Sequence, residues 1–312
     1  MTRRSIPASA QISRRDMLKL MLGVGTSFAC RRPLAEATRI QFKRTIPSSG
    51  ETIPVIGLGT SQTFDVGPAP ADRSKVKEVL RLFVEYGGTM IDTSPMYGRA
   101  ERVVGDLSVE LDNQDDLFLA TKVWTRGRNE GIQQMEESMR LLKTDQIDLM
   151  QVHNLVDTQT HLKTLQDWKA QKSVRYVGIT HYRVDAFDAL EKVIKQNQLD
   201  YVQLNYSIVT REAEQRLLPL CADRGVAVLV NRPFEDGDLF RLMRGEQLPA
   251  WASEFDCQSW AQFFLKFILS HPAVTNVIPA TSKPKHLADN MQAGFGRLPD
   301  ARTREKMARF ML

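Results

Sequence analysis

Short apolar runs alternate with longer amphipathic segments along most of the chain. Runs such as Ile147–His153 and Tyr201–Asn205 are five to seven residues long, and three of the first four residues in each are apolar. That pattern is typical of strands buried on both faces of a parallel sheet. Segments such as residues 74–86 and 130–142 instead repeat their apolar positions at the spacing of a helix that packs one face on a core.

The alternation predicts eight strand-then-helix cycles. The predicted strands cover residues 55–59, 89–92, 117–122, 147–153, 174–180, 201–205, 226–230 and 274–278. The predicted helices cover residues 74–86, 100–111, 130–142, 160–171, 184–196, 212–224, 259–270 and 284–291. A hairpin, residues 40–46 and 52–53, precedes the first cycle. Eight such cycles predict an α/β fold, a (β/α)8 TIM barrel, forming a single domain over residues 38–312.

The first 37 residues differ from the rest in composition and charge. They hold seven of the 42 Lys and Arg residues and two of the 37 Asp and Glu residues. The remaining residues therefore carry 35 of each, and the formal net charge of +5 belongs to the leader. A basic surface on the barrel is not indicated, so nucleic-acid binding is excluded as a function.

The leader resembles a twin-arginine export signal. Residues 13–19, SRRDMLK, match the twin-arginine motif with Met17 in the position that usually holds Phe. The apolar stretch over residues 17–29 is too short and too rich in Gly and Ser for a stable membrane span. We expect passage through the twin-arginine translocase, cleavage after Ala37 and a periplasmic location. The alternative is a disordered basic tail.

The pattern of cysteine and histidine residues indicates neither a disulfide framework nor a metal site. The chain has three cysteines. Cys30 lies in the leader, and only Cys221 and Cys257 lie beyond it. No His-x-His follows the first strand and no His-Glu-x-x-His occurs, which disfavours a metallohydrolase barrel. We expect no metal, and a monomer or a weak oligomer.

Chemically reactive side chains stand where the predicted strands end. Asp92 ends the second strand, Lys122 the third and His153 the fourth, and Tyr97 lies on the loop after the second. The carboxyl ends of barrel strands surround one mouth, so we expect these four side chains to converge. A phenol has a pKa of about 10. A nearby ammonium lowers that pKa, and a carboxylate holds the ammonium in place. The set suits carbonyl reduction, with the hydride supplied by a cofactor because no amino acid donates one.

The four residues belong to a longer pattern that resembles the aldo-keto reductase family. Residues 92–105, DTSPMYGRAERVVG, are similar to its signature D-T-A-x-x-Y-G-x-x-E-x-x-x-G. Residues 278–290 are similar to its cofactor segment I-P-x(7)-L-x-E-N. The resemblance covers residues 38–298 and implies that Tyr97 is the general acid, with its pKa tuned by Lys122. It also implies that Asp92 pairs with Lys122 and that His153 orients the carbonyl.

The resemblance further implies a nicotinamide cofactor, NADP(H) by preference with NAD(H) as the alternative. Where the family has Ser-Asn after strand five, this chain has Thr180-His181, and Asn231 stands where an aromatic residue usually stacks on the nicotinamide. Arg232 would instead reach the pyrophosphate. The implied cofactor-binding residues are Thr180, His181, Gln203, Arg232, Thr281, Lys283 and Asn290.

Two aromatic residues on loops are candidate substrate contacts. Phe64 follows the first predicted strand and Trp124 follows the third. Each side chain would either line a pocket for a small carbonyl substrate or close the end of the barrel.

Three functions compete. The first is reduction of aldehydes or ketones to alcohols with NAD(P)H. The second is a Schiff-base aldolase with Lys122 as nucleophile, which the positions of Asp92 and Tyr97 disfavour. The third is an NADPH-binding sensor or regulatory subunit with little turnover.

Overall fold

Eight parallel strands form the predicted barrel in the computed structural model, which describes residues 41–311. The predicted leader, with the predicted twin-arginine motif and the predicted cleavage after Ala37, lies outside the described residues. Two strands of an N-terminal hairpin come first and the eight barrel strands follow. They are β1 (Lys43–Thr45), β2 (Thr52–Pro54), β3 (Leu58–Gly59), β4 (Met90–Asp92), β5 (Phe118–Val123), β6 (Ile147–His153), β7 (Val174–His181), β8 (Tyr201–Asn205), β9 (Ala227–Asn231) and β10 (Asn276–Val277).

Each barrel strand pairs with the next in chain order, from β3 to β10. Parallel bridges between Ile56 and Val277 and between Gly59 and Ala280 join the first strand to the last. A Cβ atom at position 59 would lie 2.8 Å from the carbonyl oxygen of Ile278. Glycine is therefore required where the barrel closes, because the two backbones approach too closely for a side chain.

Helices cover the outside of the sheet. They are α1 (Pro70–Glu85), α2 (Ala100–Glu110), α3 (Arg128–Leu142), α4 (Thr158–Ala170), α5 (Phe187–Gln196), α6 (Leu217–Arg224), α7 (Asp238–Leu242), α8 (Trp260–Leu269), α9 (Pro284–Gln292) and α10 (Ala301–Phe310). Helix α7, the 3-10 turn at Ala250–Phe255 and α10 are elements that the periodicity did not predict. None of the helices within residues 41–311 combines the length and apolar character that a membrane span requires.

The hairpin predicted before the barrel is present, and Arg44 fixes it in place. Strands β1 and β2 are antiparallel, with Arg44 opposite Ile53. The Arg44 guanidinium donates hydrogen bonds to the backbone carbonyls of Leu269, His271 and Val274. The last carbonyls of a helix have no partner within it, so this arginine satisfies the end of α8 and attaches it to the hairpin.

Alternation along the strands divides the barrel interior into an apolar part and a polar part. In β6, Leu149 belongs to the interior core cluster, whereas Met150 and Val152 belong to the cluster between sheet and helices. Side chains two residues apart share a face, so Gln151 and His153 continue the inward row toward the carboxyl end of the strand. Apolar residues fill the lower barrel, and polar residues fill the end where a parallel barrel builds its sites.

Candidate active site

Six strands contribute polar side chains to the carboxyl end of the barrel interior. Five of them follow an apolar or small inward residue two positions earlier on the strand, as Lys122 follows Ala120, whereas His153 follows the buried polar Gln151. The inward polar residues are Asp92, Lys122, His153, Thr180, Gln203 and Asn231. The strand ends therefore converge as the sequence predicted for Asp92, Lys122 and His153.

Lys122 and Asp92 form an ion pair that is almost completely buried. The Lys122 Nζ atom lies 2.6 Å from Asp92 Oδ2, and it donates a second hydrogen bond, 2.7 Å long, to the backbone oxygen of Thr93. The other carboxylate oxygen, Asp92 Oδ1, accepts hydrogen bonds from the amides of Gln151 at 3.1 Å and Gln203 at 2.8 Å. A charge pair this deep in a protein needs such partners, because desolvation otherwise outweighs the attraction between the charges.

Tyr97 lies against this pair, on the loop between β4 and α2. The Lys122 ammonium is 5.0 Å from the centroid of the Tyr97 ring. Burial raises the pKa of the Tyr97 phenol, the Lys122 charge lowers it and the Asp92 charge raises it, and the net pKa is above its ordinary value. The Lys122 ammonium lowers the pKa of the phenol, as the sequence predicted, but this effect is smaller than that of burial. Burial outweighs the ammonium, so the phenol keeps its proton at neutral pH and remains available as a proton donor.

The local fold explains why Tyr97 reaches the site. Gly98 has a φ of +61°, and a Cβ atom there would lie 2.4 Å from the Asp65 carboxyl group. This left-handed turn, which favours glycine, directs the chain from the tyrosine into α2. Asp65 then accepts hydrogen bonds from the backbone and the side chain of Arg99, which attaches the loop after β3 to the same turn.

His153 is a neutral imidazole at the edge of the site. Its ring stands nearly perpendicular to the Tyr97 ring, with centroids 6.0 Å apart, and its Nδ1 atom is 3.1 Å from the Ser94 hydroxyl oxygen. Burial, followed by the Lys122 and His181 charges, lowers the pKa of His153 to about 2. An uncharged ring beside a protonated phenol can donate a hydrogen bond to a carbonyl oxygen without competing for the proton.

A cavity of about 610 Å³ opens above these residues. Asp92, Tyr97, His153, Thr180 and Gln203 line one side of it. The opposite wall comes from the loop after β9. The other residues around the cavity are Gly59, Thr60, Ser61, Gln62, Thr63, Met96, Asn154, Tyr182, Asn231, Arg232, Pro233, Phe234, Asp236, Gly237, Phe240, Ile278 and Ala280.

The two aromatic candidates for substrate contact lie in different environments. Phe64 is fully buried within the core cluster and does not line the cavity, so the prediction of a substrate contact there is corrected. Its ring packs in the cluster between the sheet and the helices. Trp124 is 42% exposed, and its ring centroid lies 6.4 Å from that of His153. The indole is therefore near His153, but Trp124 does not line the cavity either, so a substrate contact there stays a prediction.

A network of amides and hydroxyls occupies the wall where a carboxamide would bind. Thr180 Oγ1 and Asn231 Nδ2 both donate to Gln203 Oε1, at 3.1 and 3.2 Å. Asn231 Oδ1 and Arg232 Nε are buried and have no hydrogen-bond partner within the described residues. Both residues line the cavity. A buried polar atom without a partner is costly, so these two atoms fit a polar ligand at this wall.

Arg232 is held by its neighbours in a strained backbone conformation. Its φ is +49°, its guanidinium lies 2.8 Å from the Asp236 carboxylate, and it stands over the Tyr182 ring at 5.7 Å. His181 stacks on that same ring, with centroids 5.7 Å apart. Non-glycine residues with positive φ are uncommon and concentrate at functional sites, which accords with a role for Arg232 in ligand binding.

The remaining cofactor candidates lie at the far end of the predicted cofactor segment. Thr281 is buried, and its hydroxyl accepts a hydrogen bond from the backbone N–H of Lys283 at 3.1 Å. The exposed Lys283 caps the start of α9, and Asn290 is buried within that helix. These three residues, like His181, do not line the cavity.

Several residues of the site were not predicted from the sequence. Ser94 occupies the position that is Ala in the family signature, and nothing in the periodicity marks its contact with His153. Gln151, two residues before His153 on β6, was not predicted for the site, yet its amide donates a hydrogen bond to Asp92. The signature residue Glu101 accepts a hydrogen bond from Thr121 Oγ1 at 2.5 Å behind the site. Its role is to join α2 to β5. Within residues 41–311, no group of three or more His, Cys, Asp and Glu side chains is placed to hold a metal ion.

Comparison with known families agrees with this geometry. The profile of the aldo/keto reductase family matches residues 55–305. The chain belongs to the aldo/keto reductase family. The match includes every strand of the barrel and all four of the residues Asp92, Tyr97, Lys122 and His153.

Named relatives and solved structures are similar to this chain at low sequence identity. The methylglyoxal reductase YeaE of Escherichia coli strain K12 is 28% identical over 257 residues, 80% of this chain and 88% of that protein. An NADH-specific methylglyoxal reductase of the same strain is 28% identical over 234 residues, 64% of this chain and 70% of that protein. The crystal structure of an aldo/keto reductase from Klebsiella pneumoniae in complex with NADP and acetate has a TM-score of 0.72 and 25% identity. It covers 84% of this chain and 93% of that chain.

Proposed function

We propose that this aldo-keto reductase reduces aldehydes or ketones to alcohols with NAD(P)H. The observation that carries the proposal is the arrangement at the cavity floor. A protonated Tyr97 lies beside the buried Lys122–Asp92 pair, and a neutral His153 lies at the same edge of the cavity. Bound NADP in the relative from Klebsiella pneumoniae supports a nicotinamide cofactor here.

The chain's own residues manage the proton and the carbonyl oxygen. Reduced nicotinamide, when bound, supplies the hydride to the carbonyl carbon. As negative charge develops on the oxygen, Tyr97 donates its phenolic proton to it. Lys122 stabilises the phenolate that remains, and Asp92 holds the ammonium in place. His153 donates a hydrogen bond that fixes the position of the oxygen before the proton moves.

The residues at the polar wall fit a nicotinamide cofactor. Thr180 and Gln203 present a hydroxyl and an amide where a carboxamide would bind, and Asn231 adds an unpartnered oxygen. Arg232 offers a guanidinium with an unpartnered Nε–H to a pyrophosphate. His181 stacks on Tyr182, and it is Tyr182 that lines the cavity here.

The segment after β10 is proposed to set the choice between cofactors. Thr281, Lys283 and Asn290 lie in the segment that resembles the family's cofactor segment, although Ala280 and His286 stand where the family often has Lys and Arg. Lys283 is exposed and offers the positive charge that a 2′-phosphate requires. NADP(H) is therefore the proposed cofactor and NAD(H) the alternative, since one of the relatives is named as NADH-specific.

The aldolase hypothesis is not supported by the surroundings of Lys122. Burial lowers the pKa of Lys122, but the charges of Asp92 and Tyr97 outweigh it, so the net pKa is raised. A Schiff base requires an uncharged amine, and this ammonium is held charged by the carboxylate.

A cofactor-binding sensor with little turnover is the second candidate function. It is favoured by Asn231, which stands where family members place the aromatic residue that stacks on the nicotinamide. Without a stacking aromatic ring, cofactor binding would depend on the polar wall. The hydride donor would then be positioned less precisely.

The test compares the native full-length chain with Tyr97→Phe and with Tyr86→Phe, a matched change at the end of α1. Oxidation of NADPH and NADH is followed with a panel of aldehydes and ketones that includes methylglyoxal, and cofactor binding is measured separately by fluorescence. We expect turnover in the native chain and Tyr86→Phe, and a loss of about a hundredfold or more in Tyr97→Phe with cofactor binding retained. Cofactor binding without turnover in the native chain would instead support the sensor.

We propose export from the sequence of the leader alone. Arg14 and Arg15 form the proposed twin-arginine pair. Fractionation of a bacterium that has the translocase should show native chain in the periplasm and an Arg14→Lys/Arg15→Lys variant in the cytoplasm. An Arg31→Lys/Arg32→Lys variant controls for the loss of arginine elsewhere in the leader. Equal distribution of all three proteins would reject the proposal.

A further inference from the structure

Ser94 lies beneath His153 on the loop between β4 and α2, and its side chain is fully buried. Its hydroxyl oxygen accepts a hydrogen bond from the backbone N–H of Met96 at 3.3 Å. The same oxygen is 3.1 Å from His153 Nδ1. These two contacts determine where the hydroxyl proton goes.

A serine hydroxyl has one proton to donate and two lone pairs that accept. The Met96 N–H already uses one lone pair of Ser94. Within residues 41–311, His153 Nδ1 is the one acceptor that the Ser94 hydroxyl contacts. If Nδ1 carried the proton, both groups would donate toward each other or the serine proton would remain buried without a partner, at a cost of about 1–3 kcal/mol.

The ring is uncharged, so it carries one proton on one of its two nitrogens. With Nδ1 accepting from Ser94, that proton must be on Nε2. His153 lines the cavity, and its Nε2 atom has no hydrogen-bond partner within the described part of the chain. It is therefore free to donate to a ligand.

We propose that Ser94 is a positioning residue that fixes His153 as the tautomer protonated on Nε2. The benefit for catalysis, a donor aimed at the carbonyl oxygen, rests on the proposed reductase function. The opposite tautomer would present a lone pair to that oxygen, and the two would repel. The tautomer itself is independent of turnover and can be measured without substrate.

The decisive measurement is ¹⁵N NMR of the full chain labelled at its five histidines, with His153→Gln used to assign the His153 signals. We expect an unprotonated, hydrogen-bonded Nδ1 and a protonated Nε2 in the native chain. Ser94→Ala should shift the Nδ1 resonance, whereas Ser94→Thr, which keeps the hydroxyl, should not. Ser108→Ala is the matched control, because it removes another buried serine hydroxyl that bonds the Gly105 oxygen within α2.

A native chain protonated on Nδ1 would overturn the proposal, as would a Ser94→Ala variant with an unchanged Nδ1 signal. In turnover assays, Ser94→Ala should lower kcat about tenfold with little change in the KM for cofactor, and Ser108→Ala should not. A kcat lowered equally by Ser94→Ala and Ser108→Ala would reduce Ser94 to a structural role. A native chain without turnover would reject the reductase function while the NMR result still decides the tautomer.

Discussion

The amide of Gln203 on β8 donates a hydrogen bond of 2.8 Å to Asp92 Oδ1 on β4, across the interior of the barrel and 111 residues away in the chain. Gln151 on β6 donates to the same oxygen, and Gln203 also donates to Gln151 Oε1 at 3.1 Å. The carboxylate that holds Lys122 is thus itself held by two other strands. This network fixes the position of the Lys122–Asp92 ion pair.

We expect Gln203→Leu to lower both stability and cofactor affinity. Asp92 loses a donor and the Thr180 hydroxyl loses its acceptor, so the free energy of unfolding should fall by about 1–3 kcal/mol. Urea denaturation and a fluorescence titration with NADPH measure the two effects. Gln166→Leu, an exposed site on α4, is the control. Equal behaviour of the two variants would show that the network does not stabilise the site.

Removal of the buried cation should destabilise the protein more than removal of the whole pair. In Lys122→Met, the Asp92 carboxylate stays buried without its ammonium, which costs about 3–5 kcal/mol. The double variant Asp92→Asn/Lys122→Met has no uncompensated charge, so it should recover much of this stability and remain inactive. Thermal and urea unfolding of both variants test the expectation. A double variant no more stable than the single one would contradict it.

Most of the barrel could be predicted because its signal is local. Strands buried on both faces give continuous apolar runs, and β6 and β8 match their predicted ranges residue for residue. Strand β10 is only two residues long, although the predicted strand covers residues 274–278. Its length depends on the partner strands available at barrel closure, and periodicity contains no information about that.

The missed elements depend on tertiary contacts. Helix α10 begins at Ala301, after the N-cap residue Asp300, whose side chain accepts a hydrogen bond from the Thr303 N–H; this cap was the local signal available. Arg304 holds the helix in place by donating hydrogen bonds to the Tyr206 hydroxyl and to the Glu214 carboxylate, which lie 98 and 90 residues earlier in the chain. Such long-range contacts leave no trace in the hydrophobic spacing of a mostly polar segment.

The positions of the side chains at the strand ends could be predicted, but the pKa of Tyr97 could not. Strand ends place Asp92, Lys122 and His153 at one mouth, and topology alone establishes that. The pKa of Tyr97 depends on the balance of burial against two opposite charges, and here burial prevails. That balance is a property of packing, which spacing along the chain does not report.

The rate of carbonyl reduction should vary little with pH across the neutral range. The pKa of Tyr97 is raised, so the phenol stays protonated, and the pKa of His153 is lowered to about 2, so the ring stays neutral. We expect kcat to be nearly constant between about pH 5 and pH 9. Single-turnover measurements across this range test it. An inflection near pH 6.5 that disappears in His153→Gln would show that the histidine titrates in the working enzyme.

The same histidine should make the folded protein sensitive to acid. Its pKa is about 6.5 when unfolded and about 2 when folded, so the unfolded chain binds the extra proton first as the pH falls. Stability is therefore fully present above pH 6.5 and is lost below it, by about 1.4 kcal/mol per pH unit from this group. In urea unfolding between pH 7 and pH 4, His153→Gln should lose less stability than the native chain. His286→Gln, an exposed position on α9, is the control, and a native-like slope in His153→Gln would refute the expectation.

Lys283 should discriminate between the two cofactors. It is exposed at the start of α9, where its charge is available to a 2′-phosphate, and NADH lacks that phosphate. We expect Lys283→Met to raise the KM for NADPH about tenfold and to leave the KM for NADH unchanged, because a charge-assisted contact is lost only with NADPH. Lys285→Met is the matched control, since it removes an exposed lysine from the same helix two residues later. Steady-state kinetics with both cofactors measure the ratio. Equal changes in the two KM values would assign Lys283 to the shared part of the cofactor, and equal effects of the two substitutions would indicate only a general electrostatic attraction.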